Sequence, residues 1–197
     1  HKMITIAGST YRFIPFVKTN NMHKVIEMMV DKGITRFKAS TIAEAELAAI
    51  SGAKEVLIAH QLVGPKIDRF FDLKNKYPST QFSTIVDNKT TVDLLQKTAL
   101  KRHEIAAIYV DINNGMNRSG YVMDHNFNAF WDSTLRKNSL DLKGLHVYDG
   151  HIREQDPQLR LGEVDQGFDL INGFLAQQKK PYELIAGGSP TFTSHSV

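Results

Sequence analysis

The chain has no cysteine among its 197 residues. That excludes a disulfide framework, a thiolate metal cluster and a thiol nucleophile, and a reducing, cytoplasmic setting fits best. Charge of one sign is also scarce: 24 Lys and Arg face 21 Asp and Glu, scattered among one another, for a net charge of +3. No basic stripe points to a nucleic acid or a membrane surface as partner. No apolar run approaches the ~20 residues that cross a bilayer. The triplets Asn88-Lys89-Thr90 and Asn117-Arg118-Ser119 match the glycosylation pattern, but with a cytoplasmic setting expected and no signal peptide within these residues both are discounted. The first strand candidate lacks a glycine-rich phosphate loop; Lys18-Thr19-Asn20-Asn21 follows Val17 instead.

With 42% hydrophobic residues, the sequence can bury one sizeable core, read as a single domain over residues 1–197. Short β-rich runs alternate with helical patterns. The strand candidates are Arg12–Val17, Ile34–Lys38, Glu55–Ala59, Gln81–Val86, Ile105–Ile112, Leu142–Tyr148 and Tyr182–Ala186. Several are nearly continuous apolar runs, as parallel strands covered on both faces require. Between them, Met22, Val25, Ile26, Met29 and Val30 share one helical face before Gly33. Thr41-Ile42-Ala43-Glu44 is a capping box opening a second helix, which Gly52 ends. A third helix starts at Pro65 and stops before Pro78. Further helices are expected over about Asn88 to Lys101, after Asp124, and over roughly Gly162 to Gln178.

Repeated strand–helix units with short connections imply a parallel sheet with right-handed crossovers. A doubly wound sheet and a (β/α)8 TIM barrel compete. A barrel gathers functional side chains at the C-terminal ends of its strands. Here the strand candidates end in Lys18, Lys38 with Ser40, His60, Asp87, Asp111, Tyr148 with His151, and Gly187 to Ser189, which favours the barrel. Seven strands are expected in the chain. It is read as incomplete at both ends, with the eighth strand lying beyond Val197.

Lys18 closes the apolar run Phe13–Val17 at the start of the next amphipathic segment. An amine whose stem sits against apolar neighbours is expected to lose part of its preference for the charged form and to become nucleophilic towards a carbonyl. Asp111 to Gly120 places Arg118 in a glycine-flanked turn. Tyr148-Asp149-Gly150-His151 follows another strand, and Gly187-Gly188-Ser189-Pro190-Thr191 offers backbone amides and hydroxyls to an anion.

In this order, these segments resemble the barrel domain of fold-type III pyridoxal-phosphate enzymes, the alanine racemase N-terminal domain. They are most similar to the D-threonine aldolase and D-serine dehydratase branch. Ile14-Pro15-Phe16-Val17-Lys18-Thr19-Asn20-Asn21 resembles the family's Arg-Pro-His-x-Lys-Thr-His-Lys strand. Phe37 through Glu46 is similar to its next strand–helix unit, and Asp111–Gly120 to its Asp-x-Gly-x-x-Arg-x-Gly segment. Tyr148-x-Gly150-His151 and Gly187-Gly188-Ser189-x-Thr191 complete the set.

The resemblance implies pyridoxal 5'-phosphate as cofactor, with Lys18 as the Schiff-base lysine and catalytic amine. It implies Arg118 beside the phenolic oxygen, Tyr148 at the pyridine nitrogen, and Gly187, Gly188, Ser189 and Thr191 around the phosphate. Thr19, Ser40 and His151 are candidates for substrate contact or support. Two departures bear on the chemistry. The family's histidines flanking the lysine are Phe16 and Asn20 here, which removes possible proton carriers, and Pro190 removes an amide donor. The implied activity is a lyase on a D-β-hydroxy amino acid, by aldol cleavage or dehydration. An amino-acid racemase and a non-catalytic cofactor carrier are the alternatives. A C-terminal β-domain is expected outside this chain, with the ligands of any divalent metal. His146, His151 and His195 lack ligand spacing, so no metal is assigned within the chain. An amino-acid substrate and a homodimer are further implications.

Overall fold

The computed structural model describes residues 1–196. Six strands, β1 (Arg36–Ala39), β2 (Glu55–Ile58), β3 (Gln81–Val86), β4 (Ala106–Ile112), β5 (Leu140–Val147) and β6 (Glu183–Ala186), form one sheet in sequential order. Every pairing is parallel. The helices are α1 (Lys2–Ala7), α2 (His23–Val30), α3 (Ile42–Ile50), α4 (Lys66–Lys76), α5 (Lys89–Arg102), α6 (Phe127–Leu135) and α7 (Pro157–Ala176).

Alternation along each strand builds two cores. Phe37, Val56, Phe82, Ile108 and Leu145 point outward and pack under the helices in the main apolar cluster. Leu57, Ile85, Tyr109 and Ile185 point the other way and form a smaller cluster with Ile14 and Ala59. A flat sheet would leave that second face open. Instead the sheet curls, and side chains from non-adjacent strands meet inside it. Arg36 on β1 donates to Glu183 on β6 at 2.5 Å and to Glu55 on β2 at 2.9 Å. Tyr109 on β4 donates to the other Glu183 oxygen at 2.5 Å. The architecture is a partial (β/α)8 barrel, with Arg36, Glu55, Tyr109 and Glu183 spanning its lumen near the N-terminal ends of the strands.

Two expectations need correction. Arg12–Val17 is not a strand: only Phe16 bridges Lys38, where the Lys38 N–H donates to the Pro15 carbonyl at 2.9 Å. Pro15 has no N–H to donate to a ladder, and the chain then tightens into a 3₁₀ turn at Val17–Thr19. Six strands and this bridge therefore stand where seven strands were expected. Helix α7 begins at Pro157, five residues before the expected Gly162. Asp156 caps it by accepting from the Gln158 and Leu159 amides, and Pro157 suits the first helical position, whose N–H is unpaired anyway.

The other start signals act as read. Thr41 Oγ1 accepts from the Glu44 amide at 3.1 Å, while the Glu44 carboxylate accepts from the Ser40 amide at 2.6 Å. Trp131 on α6 is buried against Phe174 on α7 and Tyr182, with ring centres 5.1 and 4.8 Å apart. Among the described residues, no helix is long and apolar enough to cross a membrane.

Candidate active site

The C-terminal ends of the strands carry a buried polar cluster. Asp111 ends β4's inward row and is 3% exposed. One of its oxygens accepts from His146 Nδ1 on β5 at 2.6 Å, and the other from Gln61 at 3.2 Å and Ser119 at 3.0 Å. The same Gln61 amide reaches Asp87 at 2.8 Å, and Asp87 also accepts from the Gly120 amide at 3.1 Å. Burial lowers the His146 pKa and outweighs the Asp111 bond, which raises it; Lys38 and Arg118 add to the depression. Burial thus favours the neutral ring; with Nδ1–H on the carboxylate its buried Nε2 is an acceptor, and among the described residues it has no partner.

Around this floor the sequence-derived candidates come together. Lys18 is on the 3₁₀ turn, exposed, with Nζ 4.3 Å from the Phe16 ring centre. The apolar neighbour expected for its stem is therefore that phenyl ring, at a solvent-accessible rim. Thr19 caps the turn by donating to the Phe16 carbonyl at 3.0 Å. Arg118 lies over the Tyr148 ring, its guanidinium carbon 4.5 Å from the ring centre. Its loop is pinned at both ends: Tyr121 donates to the Asp111 carbonyl at 2.7 Å and Asn113 to the Tyr121 carbonyl at 3.0 Å. Gly120 must be glycine here, because at φ +102° a Cβ would stand 2.5 Å from the Asn113 nitrogen. His151 packs on the same loop, near enough to Gly115 that a Cβ there would lie 2.9 Å from its Nε2. Ser40 lines a rim cavity of about 290 Å³ with His60, Gln61, Lys66 and Arg69.

The turn after β6 is organised by a residue the sequence motif left as an x. Asp149 is fully buried and accepts from Thr191 Oγ1 at 2.7 Å and from His195 Nε2 at 2.7 Å. Burial alone would raise its pKa, but these two bonds and the His195 charge hold it below the usual carboxylate value. The Gly188 amide donates to Thr191 Oγ1 at 2.9 Å, and the Gly187 amide to the Val147 carbonyl at 3.1 Å. Thr191 thus shapes the turn through Asp149, and its hydroxyl proton is already committed. Ser189 is exposed and its hydroxyl makes no hydrogen bond among the described residues. Gly188 packs closely, with a Cβ meeting Asp149 and Tyr148 atoms at 3.3 Å, so the backbone approach there suits glycine.

Sequence reasoning named the strand-end Lys38 without a role and missed the Asp111–His146 pair and the Asp149 tie. Their signal was the inward period-2 positions, visible once the curl is known. An exposed amine, a stacked arginine–tyrosine pair, a glycine turn with a free hydroxyl and an unpartnered buried acceptor all face one end of the barrel. That donor set fits an anionic ring cofactor with a carbonyl and a phosphate. Among the described residues no three His, Cys, Asp or Glu side chains converge as a metal site would require.

No curated protein matches the chain in sequence. Among solved structures it is similar to D-threonine aldolase from Filomicrobium marinum, with 20% identity and a TM-score of 0.84 over 98% of this chain and 55% of that one. It is also similar to alanine racemase from Bacillus anthracis, at 16% identity and TM-score 0.73 over 96% and 50%. Diaminopimelate decarboxylase from M. jannaschii gives 15% identity and TM-score 0.69 over 89% and 43%. The chain spans about half the length of these structures, and at such identities the likeness is one of fold. The alanine racemase N-terminal domain family matches residues 2–196. The chain therefore belongs to that family, a family of fold-type III pyridoxal-phosphate enzymes.

Proposed function

We propose that the chain is the cofactor-binding barrel of a pyridoxal-phosphate-dependent lyase acting on a D-β-hydroxy amino acid, with Lys18 as the attachment amine. One observation carries this reading: Lys18, the Arg118–Tyr148 pair and the Gly187–Thr191 turn, far apart in sequence, share the C-terminal end of one curled parallel sheet. When bound, the cofactor supplies a ring able to take up the electron pair released as a bond to the substrate's α-carbon breaks. The chain's own residues supply the rest. Lys18 presents its nitrogen from a short, hydrogen-bonded turn that holds its backbone in place. Arg118 is a fixed cation placed for an oxyanion, and Tyr148 holds its guanidinium plane. Ser189 and the adjacent turn offer donors to a phosphate, while Asp149 and Thr191 keep that turn in shape.

The lyase choice over a racemase rests on the resemblance of the Lys18, Arg118, Tyr148 and Gly187–Thr191 segments to the D-threonine aldolase and D-serine dehydratase branch; the fold itself is shared with an alanine racemase over 96% of the chain and supports either. Any divalent metal would take its ligands from outside this chain, and a homodimer is part of the same proposal.

The test uses the full-length protein loaded with pyridoxal phosphate, reduced with borohydride and digested. A pyridoxyl group is expected on Lys18 by mass spectrometry, and Lys18→Ala should be colourless and inactive. D-Threonine should give glycine and acetaldehyde, or D-serine pyruvate and ammonia. A label on another residue, or none, overturns the assignment of Lys18; racemised alanine without cleavage products replaces the lyase by the racemase.

A further inference from the structure

Resting on that reading, one residue of the site has no role in it. Lys38 is inward-facing on β1 and only 8% exposed. Among the described residues its Nζ makes no hydrogen bond and no ion pair. An aromatic ring lies beside it: Nζ stands 5.7 Å from the Phe16 ring centre, the same ring that Lys18 Nζ overlies at 4.3 Å. Two amines thus share one phenyl ring, one at the rim and one on the floor.

Lysine is seldom buried this deeply without a carboxylate, and an ammonium held there unpaired works against the fold. The groups that face it from the surrounding elements explain why no ion pair forms. From the 3₁₀ turn and the β4 loop come two further cations, Lys18 and Arg118. Asp111 on β4 is occupied by His146, Gln61 and Ser119, and Asp149 after β5 by Thr191 and His195. His146 on β5 is held towards its neutral form by burial, and among the described residues its Nε2 has no donor. Burial is the main influence on Lys38 and brings its pKa down to about 8; Asp149 and Asp111 pull it up, and Lys18 and Arg118 push it down.

We propose that Lys38 is the site's proton acceptor for the incoming amino acid: its neutral amine takes a proton from the substrate's α-ammonium before that nitrogen displaces Lys18. In this step one substrate N–H bond breaks and its electron pair stays on the substrate nitrogen as the lone pair that attacks. A new N–H bond forms on Lys38, and the resulting ammonium faces Asp111 and Asp149. The proton returns when the product amine leaves. Lys38 thus fills the gap left by Phe16 and Asn20, which stand where the resemblance places histidines.

The experiment compares wild type, Lys38→Met and Lys38→Arg as full-length protein loaded with pyridoxal phosphate, following substrate binding to the cofactor by stopped-flow absorbance from pH 6 to 10. Wild type should show a rate limb rising through about pH 8. Lys38→Met should keep the pyridoxyl label on Lys18, lose that limb, slow about 10²-fold or more, and be partly rescued by added methylamine. Lys38→Arg, still cationic but unable to give up a proton, should be as slow as Lys38→Met. Wild-type rates and pH profile in Lys38→Met overturn the proposal. If that variant does not fold, a wild-type profile without the limb, or an Arg variant as fast as wild type, overturns it equally. Absence of the label from wild-type Lys18 sinks the functional reading instead, so the two failures are distinguishable.

Discussion

Arg36 tests the curl of the sheet, because it joins β1 to β6 across the lumen rather than along it. It is 5% exposed, and its guanidinium donates to Glu55 at 2.9 Å, Glu183 at 2.5 Å and the Tyr11 carbonyl at 3.2 Å. Burial lowers its pKa, but Glu183 and Glu55 more than offset this, so it is charged at any assay pH. Arg36→Met leaves both carboxylates without their cation. Breaking a fully buried pair costs about 3–5 kcal/mol. Here the carboxylate side chains are 40% and 30% exposed, so water screens part of that loss. The expected cost is about 2–3 kcal/mol, between the buried and the surface limits. Glu183→Gln keeps the Tyr109 bond and leaves Arg36 with Glu55, so about 1 kcal/mol is expected. The double variant has one uncompensated carboxylate fewer, and should cost about 1 kcal/mol less than the sum of the two. Urea unfolding of the full-length protein, read as midpoint and slope, measures all three. Additive effects within about 0.3 kcal/mol would mean that Arg36 and Glu183 do not meet, and that the lumen is not closed as described.

Gly144→Ala should displace β6, since a Cβ on Gly144 would lie 1.8 Å from the Glu183 carbonyl oxygen, with only backbone to give way. A loss of about 3 kcal/mol is expected in the same unfolding assay, together with weaker cofactor binding because β6 carries the glycine turn. Asp149→Asn should weaken pyridoxal-phosphate binding about tenfold by removing an anionic acceptor of Thr191 and His195, measured by fluorescence titration. The pH dependence follows from its sign. The folded carboxyl lies below the ordinary aspartate value of 3.8, so its stabilisation is present above that pH and is lost as pH falls through the folded value. Wild type should therefore lose stability more steeply than Asp149→Asn below about pH 4, and parallel curves would refute the tie.

The outward half of the barrel was legible because apolar alternation is local. β3 spans Gln81–Val86 as read, and the Thr41–Glu44 cap forms with only its reciprocal bond moved to Ser40. Arg12–Val17 misled because its apolar run was given more weight than Pro15, which cannot donate to a ladder and stands just before the turn. The start of α7 was missed because Asp156-Pro157, a good cap with a good first residue, was passed over in favour of apolar periodicity. The site was legible as a set of rim residues but not as a network. Thr191 read as a phosphate donor, whereas its hydroxyl is spent on Asp149, 42 residues away. Asp111 and His146 pair across 35 residues, and nothing in either local sequence reports that.

The energetics of Lys38 argue that the floor of this barrel was shaped by something other than stability. Its pKa is depressed when folded, so between about pH 8 and 10.5 the unfolded chain binds the extra proton and stability rises with pH across that window. Below pH 8 the penalty is complete, on the order of 3 kcal/mol. A methionine of similar length would escape it, so Lys38→Met should raise the midpoint of unfolding at pH 7 while slowing the substrate step. A lysine kept only to build the barrel would show the reverse, losing stability without a change in the pH profile. A residue that weakens the fold in which it is buried, facing two occupied carboxylates and a histidine acceptor without a donor, is placed for the moment when a proton has to be taken up there.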